Sequence, residues 1–549
     1  MNYRIHSGNS TELHITGKKK TNDKGMVRLL CKGNIIDEAY YKFPGFETFF
    51  LTWLPGCDYE LEVENLEITL MYRFCPDTVL ERGVEFIELD DEIHIYGKEN
   101  LSKKLVQKYR NQYHFSPYKG WMNDPNGLCW FGGYYHLFYQ YNPNSQEWGN
   151  MHWGHAVSKD LFHWVQQPIT SYPQIELNGC DGYRGGAFSG SAIVEDNKLK
   201  LFFTRHFGKI DRSWQRQWQV WKESCDGVHF SHEECSIWGT PEGVDWHFRD
   251  PKVIKLGGSW SMILAGSCFN RPAVFRYESK DLKQWVYRGI LYQEDNPLYG
   301  IAECPDFFYL DGKYVLVVSY IYADGRKSAR DVCWYTGIWK DNAFLAEKSG
   351  VVDIGKDYYA PQSFEHQGRR ISFGWNCLQG NGHIKEPGGS NGSLSLPRLL
   401  SVENGCLKSE VIPQIKNLFQ EFTDPGPYWM KLERLEDDDS EGIDLILACS
   451  RQSVLRLSEK EGEVCLRLEK IQENRDDEYT DLQFTWIYQE KERIDTMEIY
   501  VDQALVEIYF NGGKEVCSKR FYISEACLKP IFTEQSQWRS EHKRIKSIW

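Results

Sequence analysis

The chain has no long hydrophobic run: no window approaches about 18 uncharged apolar residues, so no membrane-spanning helix is expected. The start, Met1-Asn-Tyr-Arg-Ile-His-Ser-Gly-Asn-Ser, lacks an apolar segment with a small-residue cleavage site, so no secretory signal is expected. Cysteine signals are also missing. The 16 cysteines lie singly between Cys31 and Cys527, without a CxxC and without a second pair at zinc-finger spacing from Cys225 and Cys235. The expectation is a cytoplasmic protein with reduced thiols packed as small hydrophobes, needing no metal or other cofactor. Positive charge is short as well. Lys+Arg number 64 against Asp+Glu 78, a net charge of -14, which argues against nucleic acid or an anionic membrane as main partner, since phosphate surfaces are bound by surplus Lys and Arg.

What the chain has is length and rings. Its 549 residues suffice for two to four domains, and 41% hydrophobic with 26% charged residues is an ordinary globular balance. Aromatic residues reach 15%, with Trp 20, Tyr 32 and Phe 29. So many rings suit a β-rich protein and equally suit a sugar-binding surface.

Three regions differ in pattern. In the first, Leu66, Ile68 and Leu70 alternate with polar residues, and 84–96 reads as two strands around the Asp90-Asp91 turn. Asn100 is expected to cap a short helix over 101–109. Residues 1–105 therefore read as a small β-rich accessory domain whose role the sequence does not reveal. From 106 to 410 a pattern repeats: a turn residue, then a β run rich in aromatic and aliphatic side chains. The runs begin at Gly133, Asn197, Gly258, Gly312 and Gly368, at spacings of 64, 61, 54 and 56 residues. Two repeats carry a related second half, Ser158-Lys-Asp-Leu-Phe-His-Trp and Ser279-Lys-Asp-Leu-Lys-Gln-Trp. Five such units of short strands predict a five-bladed β-propeller, with an ordinary β-sandwich as the alternative. Residues 411–549 alternate again, as in Met497-Glu-Ile-Tyr-Val and before the turn Asn511-Gly512-Gly513, and predict a C-terminal β-sandwich. The acidic run 436–441 reads as a solvated loop. The fold class is thus all-β.

Chemistry-bearing residues lie about eight or nine residues upstream of these runs, in Trp121-Met-Asn-Asp-Pro-Asn-Gly, Phe188-Ser-Gly-Ser-Ala, Phe248-Arg-Asp-Pro, Glu303-Cys-Pro-Asp and Tyr358-Tyr-Ala-Pro-Gln. Equivalent positions in successive blades ring the propeller axis, so Asp124, Asp250 and Glu303 are expected to converge in register. A proline follows each within two residues, and the residue before a proline is biased towards extended geometry, so Asp124 and Asp250 are expected to be held extended. Two carboxyl groups across a sugar are the arrangement for glycosidic cleavage, one ionised and one protonated. Arg249 is expected to favour the ionised form of its neighbour Asp250, and Glu303, with no adjacent cation, is the candidate proton donor. His136, His152 and His155 read as structural among aromatic strands. The segment Asp324-Gly-Arg-Lys327 could meet a leaving group or be a solvated turn.

With these motifs the sequence resembles glycoside hydrolase family 32, the β-fructofuranosidases. The resemblance starts at Tyr113-His-Phe-Ser-Pro and runs through Tyr139-Gln-Tyr-Asn-Pro, Trp148-Gly-Asn-Met-His-Trp-Gly-His, Arg249-Asp-Pro and Tyr359-Ala-Pro-Gln to Leu396-Pro-Arg. It resumes at Val501-Asp and Glu507-Ile-Tyr-Phe-Asn-Gly-Gly, covering roughly 113–525. It implies a five-bladed propeller joined to a sandwich and a retaining release of terminal β-linked fructose from sucrose or short fructans. By motif position it implies Asp124 as nucleophile, Glu303 as acid/base and Asp250 as transition-state stabiliser. Asn123, Gln140, Ser189 and Arg249 would hold the fructose ring, and Trp121, Trp148 and Phe188 would form an aromatic wall, with Trp375 a further lining residue. Many relatives have Trp at the Phe188 position. Fructosyl transfer by the same intermediate, a non-catalytic sugar-binding propeller, and a five-bladed arabinosidase or xylosidase are the competing readings. The sequence does not fix the oligomeric state.

Overall fold

A computed structural model of the chain describes residues 2–105, 107–179, 182–324, 330–377, 388–435, 442–471, 483–534 and 538–549. The acidic run 436–441 and positions 325–327 lie outside them. Alternating sequence is converted into nine sheets among the described residues, and no described helix is long and apolar enough to cross a membrane.

Five of the sheets are the propeller blades, which begin at Gly120–Phe131, Tyr183–Glu195, Val244–Leu256, Tyr299–Leu310 and Tyr359–His366 as innermost strands. Each innermost strand packs on the next, and the fifth packs on the first, which closes the ring. In every blade the first hairpin has a two-residue connection, and both its residues carry positive φ: Gly132 (57°) and Gly133 (85°), Asp196 (53°) and Asn197 (55°), through to Gln367 (53°) and Gly368 (71°). Such turns match the strand twist and favour Gly, Asn or Asp, found at every one of these positions except Gln367, which is why the repeat is visible as punctuation in the sequence. The second-half motif is also a turn. Asp160 Oδ1 accepts the backbone N–H groups of Phe162 (2.9 Å) and His163 (2.8 Å), and Asp281 does the same for Lys283 and Gln284. A short strand, Ser390–Asn391, adds to the first blade in parallel with Gly120 and Trp121.

The C-terminal region forms a six-stranded and a five-stranded sheet whose facing residues, among them Leu445, Leu457, Ile499 and Ile508, are fully buried. The N-terminal region forms a four-stranded and a five-stranded sheet around Leu13, Ile15, Val27, Leu29 and Leu61. Its hairpin 85–96 is as expected, Glu85–Leu89 against Ile93–Tyr96. The expected helix is only one turn, Leu101–Lys104; Asn100 does not cap it with its side chain, which instead binds Gly97 N and Ile95 O.

The propeller and sandwich are joined through buried charge. Arg398 of blade 5 donates from Nη2 to Asp353 (3.0 Å), Glu507 (3.0 Å) and Ser518 (2.8 Å). His114 places Nδ1 2.8 Å from Asp502 and Nε2 3.2 Å from Glu507, so both ring nitrogens face carboxylates and both carry protons. Burial pushes the His114 pKa down, but the bonds to Asp502 and Glu507 outweigh it and raise it to about 8.

Two outcomes follow from this junction. Replacing Arg398 by Met should destabilise the protein by roughly 3–5 kcal/mol in denaturant titrations, because two buried carboxylates lose their counter-charge. The folded-state pKa of His114 is above its ordinary value, so its contribution is complete below about pH 6.5 and lost as pH rises through about 8. The wild-type denaturation midpoint should fall across that window, and between about pH 7 and 8 the fall should be clearly smaller in His114→Gln.

Candidate active site

The inner strands share one level at which every ladder slips, besides further slips in blades 1, 3 and 4. The slips lie between Met122 and Pro125, Ala187 and Gly190, Arg249 and Lys252, Glu303 and Asp306, and Tyr359 and Gln362. A bulge leaves residues unpaired and re-aims their side chains. In blades 3 to 5 the residue before the proline takes a left-handed backbone: Asp250 (φ 63°), Cys304 (48°) and Ala360 (50°). The extended backbone expected at Asp250 is therefore incorrect, while Asp124 stays outside the left-handed region. Such a conformation costs about 1–3 kcal/mol for a residue with a side chain. Each strained N–H has a side-chain acceptor: Asp250 N on Thr204 Oγ1 (2.9 Å), Cys304 N on Asp250 Oδ2 (2.9 Å) and Ala360 N on Ser319 Oγ (3.1 Å).

The bulge register also corrects the expected alignment. Glu303 matches Arg249 and Tyr359, and it is Cys304 that occupies the place of Asp250. Blades 3, 4 and 5 consequently present Arg249, Glu303 and Tyr359 side by side. Glu303 Oε1 accepts from Arg249 Nη2 (2.7 Å) and Nε (3.2 Å), and Oε2 accepts from Tyr359 Oη (2.5 Å). Arg249 thus serves Glu303, and its Nε stands 3.9 Å from Asp250. The expectation that Glu303 lacks a neighbouring cation is overturned for a physical reason: the bulge and left-handed backbone at Asp250 leave Arg249 aimed across to the next blade, where it meets Glu303.

Asp124 and Asp250 meet at the Cys304 thiol, whose Sγ is 3.6 Å from Asp124 Oδ2 and 3.5 Å from Asp250 Oδ2. Asp124 Oδ2 also accepts from Ser189 Oγ at 2.7 Å. Asp250 is fully buried. Burial drives its pKa up to about 7, Arg249 opposing and the charges of Glu303 and Asp124 adding to the rise. Behind Arg249, His247 accepts from Nη1 through Nδ1 (2.9 Å) and is held neutral, its pKa pushed down to about 3 by burial and by the guanidinium.

The other expected residues fall around this centre. Asn123 Oδ1 accepts from Trp121 Nε1 (2.8 Å), and Gln140 Nε2 donates to Ala187 O (2.8 Å). Trp148, 38% exposed, meets the Phe188 ring edge-on at 6.0 Å, and Phe188 stacks on His206 at 4.4 Å. Trp375 is buried and packs edge-on against Trp121, backing that ring. His136, His152 and His155 are buried, with pKa values pushed down by burial, and His136 Nδ1 lies 3.0 Å from His155 Nε2. The sequence alone assigns no role to Cys304, Tyr359, His247 or Gln217, whose Oε1 accepts from Phe248 N (2.8 Å) and Arg249 Nη1 (3.3 Å). The signal for Tyr359 and Cys304 was present: each occupies the bulge position that carries a charged group in another blade. Asp306 of the Glu-Cys-Pro-Asp motif points elsewhere, 2.9 Å from Lys252. Among the described residues no group of three His, Cys, Asp or Glu is arranged to hold a metal.

One carboxylate with a hydroxyl donor, one with a buried proton site and one bracketed by a guanidinium and a phenol can together bind hydroxyls, transfer a proton and supply a nucleophile. The comparison with known proteins decides among chemistries. Residues 114–412 match "Glycosyl hydrolases family 32 N-terminal domain" and residues 439–546 match "Glycosyl hydrolases family 32 C terminal". The chain belongs to glycoside hydrolase family 32. It is 31% identical over 460 residues to an Escherichia coli sucrose-6-phosphate hydrolase, covering 78% of this chain and 93% of that protein. It is 30% identical over 453 residues to an E. coli raffinose invertase, covering 77% and 92%. A family 32 structure from Bifidobacterium adolescentis matches at 25% identity and TM-score 0.87, covering 100% of both chains.

The Asp250 setting makes a stability prediction. Its folded pKa, about 7, exceeds the unfolded value, so above pH 7 the folded state carries a buried charge that unfolding would hydrate. Asp250→Asn should therefore raise the denaturation midpoint at pH 8 and leave it nearly unchanged at pH 4. An equal shift at both pH values would contradict the assignment.

Proposed function

We propose that this family 32 enzyme releases terminal β-linked fructose from sucrose or short fructans through a covalent fructosyl-enzyme, with retention. The observation that carries the reading is the convergence of Asp124, Asp250 and Glu303 within one hydrogen-bonded cluster, in a chain whose relatives include a sucrose-6-phosphate hydrolase and a raffinose invertase.

Asp124 is the nucleophile. It must be ionised to attack the anomeric carbon, and the Ser189 hydroxyl donates to that charged form. Glu303 protonates the leaving oxygen in the first step and activates water in the second, so both of its charge states must be tolerated. Arg249 and Tyr359 support the carboxylate, and the like charge of Asp250 opposes it. Asp250, poised to hold or release a proton, binds fructose hydroxyls and steadies the oxocarbenium-like transition state. Asn123, Gln140, Ser189 and Arg249 fix the ring, and Trp121, Trp148 and Phe188 wall the pocket, with Trp375 holding Trp121 from behind.

Asp124→Asn should fold normally and lose fructose release by about 10³-fold or more, a loss expected in kcat rather than KM. The measurement is sugar analysis after incubation with sucrose, phosphorylated sucrose, inulin and levan. Near-wild-type fructose release by the variant would refute the assignment. Wild-type products that are longer or cyclic, without free fructose, would assign the enzyme to fructosyl transfer instead.

A further inference from the structure

Residues 1–105 lie outside both matched family segments, yet they bond to blade 1 of the propeller. Two connections of blade 1 receive them. The first, residues 143–151, joins Tyr134–Asn142 to His152–Ser158 and carries Trp148. The second, described over residues 172–179, leads from Trp164–Ser171 towards the inner strand of blade 2, on which Phe188 and Ser189 sit. Connections of this length are mobile unless something ties them down.

The N-terminal region supplies the ties. Thr69 Oγ1 donates to Asn144 Oδ1 at 2.7 Å, and Asn144 N in turn donates to Asn142 Oδ1 at 3.1 Å, within the turn that leads to Trp148. Tyr72 Oη accepts from Ile169 N (3.1 Å) and stands 3.4 Å from Tyr172 Oη, while Phe50 meets the Tyr172 ring edge-on at 5.4 Å. Gly45 N donates to Asn178 O at 2.9 Å, and a Cβ on Gly45 would lie 2.7 Å from that oxygen, so bare backbone rests on backbone. Contacts continue inward from there. Tyr172 O accepts from Arg205 Nη1 (2.6 Å), Gln174 Nε2 donates to His206 O (3.1 Å), and His206 stacks on Phe188, which meets Trp148. Asp124 and Asp250, by contrast, are held from inner strands by Ser189 and Cys304 and from the second strand of blade 2 by Thr204.

Trp148 is exposed whereas Asn123, Gln140, Ser189 and Arg249 are buried, so the wall is at the outer part of the site, where a leaving group extends to solvent. We propose that residues 1–105 are a positioning element for leaving-group recognition, bracing these two connections and thereby fixing the Trp148–Phe188 wall, while the fructose-holding groups are left to the propeller. The proposal rests on the fructosidase reading given above, and it names the part of the substrate affected. The domain acts through the wall and not on the reacting atoms.

Full-length Thr69→Val, Gly45→Val and the combined variant test it, with sucrose and a short inulin oligomer as substrates and free fructose as inhibitor. Thr69→Val removes one hydroxyl, and Gly45→Val forces the Asn178 backbone away. The combined variant should raise KM about three- to tenfold, keep kcat within about twofold, and leave the fructose inhibition constant within about twofold. Thr69→Ser, which keeps the hydroxyl, should behave as wild type. Unchanged KM would overturn the proposal, as would fructose inhibition weakening in step with KM, since that would mean the domain merely supports the whole fold. If the combined variant does not fold, Thr69→Val alone gives the same test with a smaller expected rise in KM. Failure of the wild type to release fructose from any fructoside is a separate result, which refutes the fructosidase reading itself.

Discussion

Carboxylates repel one another most strongly where water is excluded, and the propeller brings the buried Asp250 together with the half-buried Asp124 and Glu303. Asp250 bears the consequence most visibly, with a pKa pushed up to about 7 by burial and by its two acidic neighbours. The remaining features of the site are responses to this repulsion. Arg249 turns from its sequence neighbour to neutralise Glu303, Tyr359 donates from the far side, Ser189 donates to Asp124, and the Cys304 amide donates to Asp250. None of these could meet in a regular ladder, because side chains on one strand alternate between faces. The five bulges break that alternation at one level and aim successive blades at one point.

The bulges in turn depend on the ring. Left-handed backbone before proline is strained, and it persists only where neighbouring structure over-determines it. Here the partner of each strained amide comes from another strand or another blade: Thr204 of blade 2 for Asp250, Asp250 of blade 3 for Cys304, and Ser319 of blade 4 for Ala360. Each blade therefore holds the next one in its unusual conformation. The sandwich adds a second anchor through Arg398, Glu507, Asp502 and His114, which tie the last blade and the segment entering the first to the same sheet.

Much of this was legible from the residues alone. Positive-φ turns favour Gly, Asn or Asp, so the five hairpins appeared as evenly spaced punctuation, and the fold followed. The carboxylates were legible because they sat eight or nine residues before those turns, near prolines. What the sequence did not show was the sense in which the proline acts. In blades 3 to 5 it marks a left-handed residue where extended geometry was expected, and this moves Glu303 into line with Arg249 and Tyr359. Side-chain partners across blades, such as Arg249 with Glu303 or Cys304 with Asp124, are separated by tens to hundreds of residues and have no local signal. The N-terminal contacts with blade 1 are of the same kind, which is why residues 1–105 had no readable role.

The central claim is that Asp124 attacks the sugar directly and that water resolves the resulting intermediate from the same face. The anomeric form of the first fructose released reports this directly, since spontaneous equilibration of the anomers follows only afterwards. Proton NMR of sucrose hydrolysis at early times should show β-fructofuranose as the initial product, the configuration of the bond that was cut. Initial release of the α-anomer would mean a single inverting displacement by water, and would contradict the account.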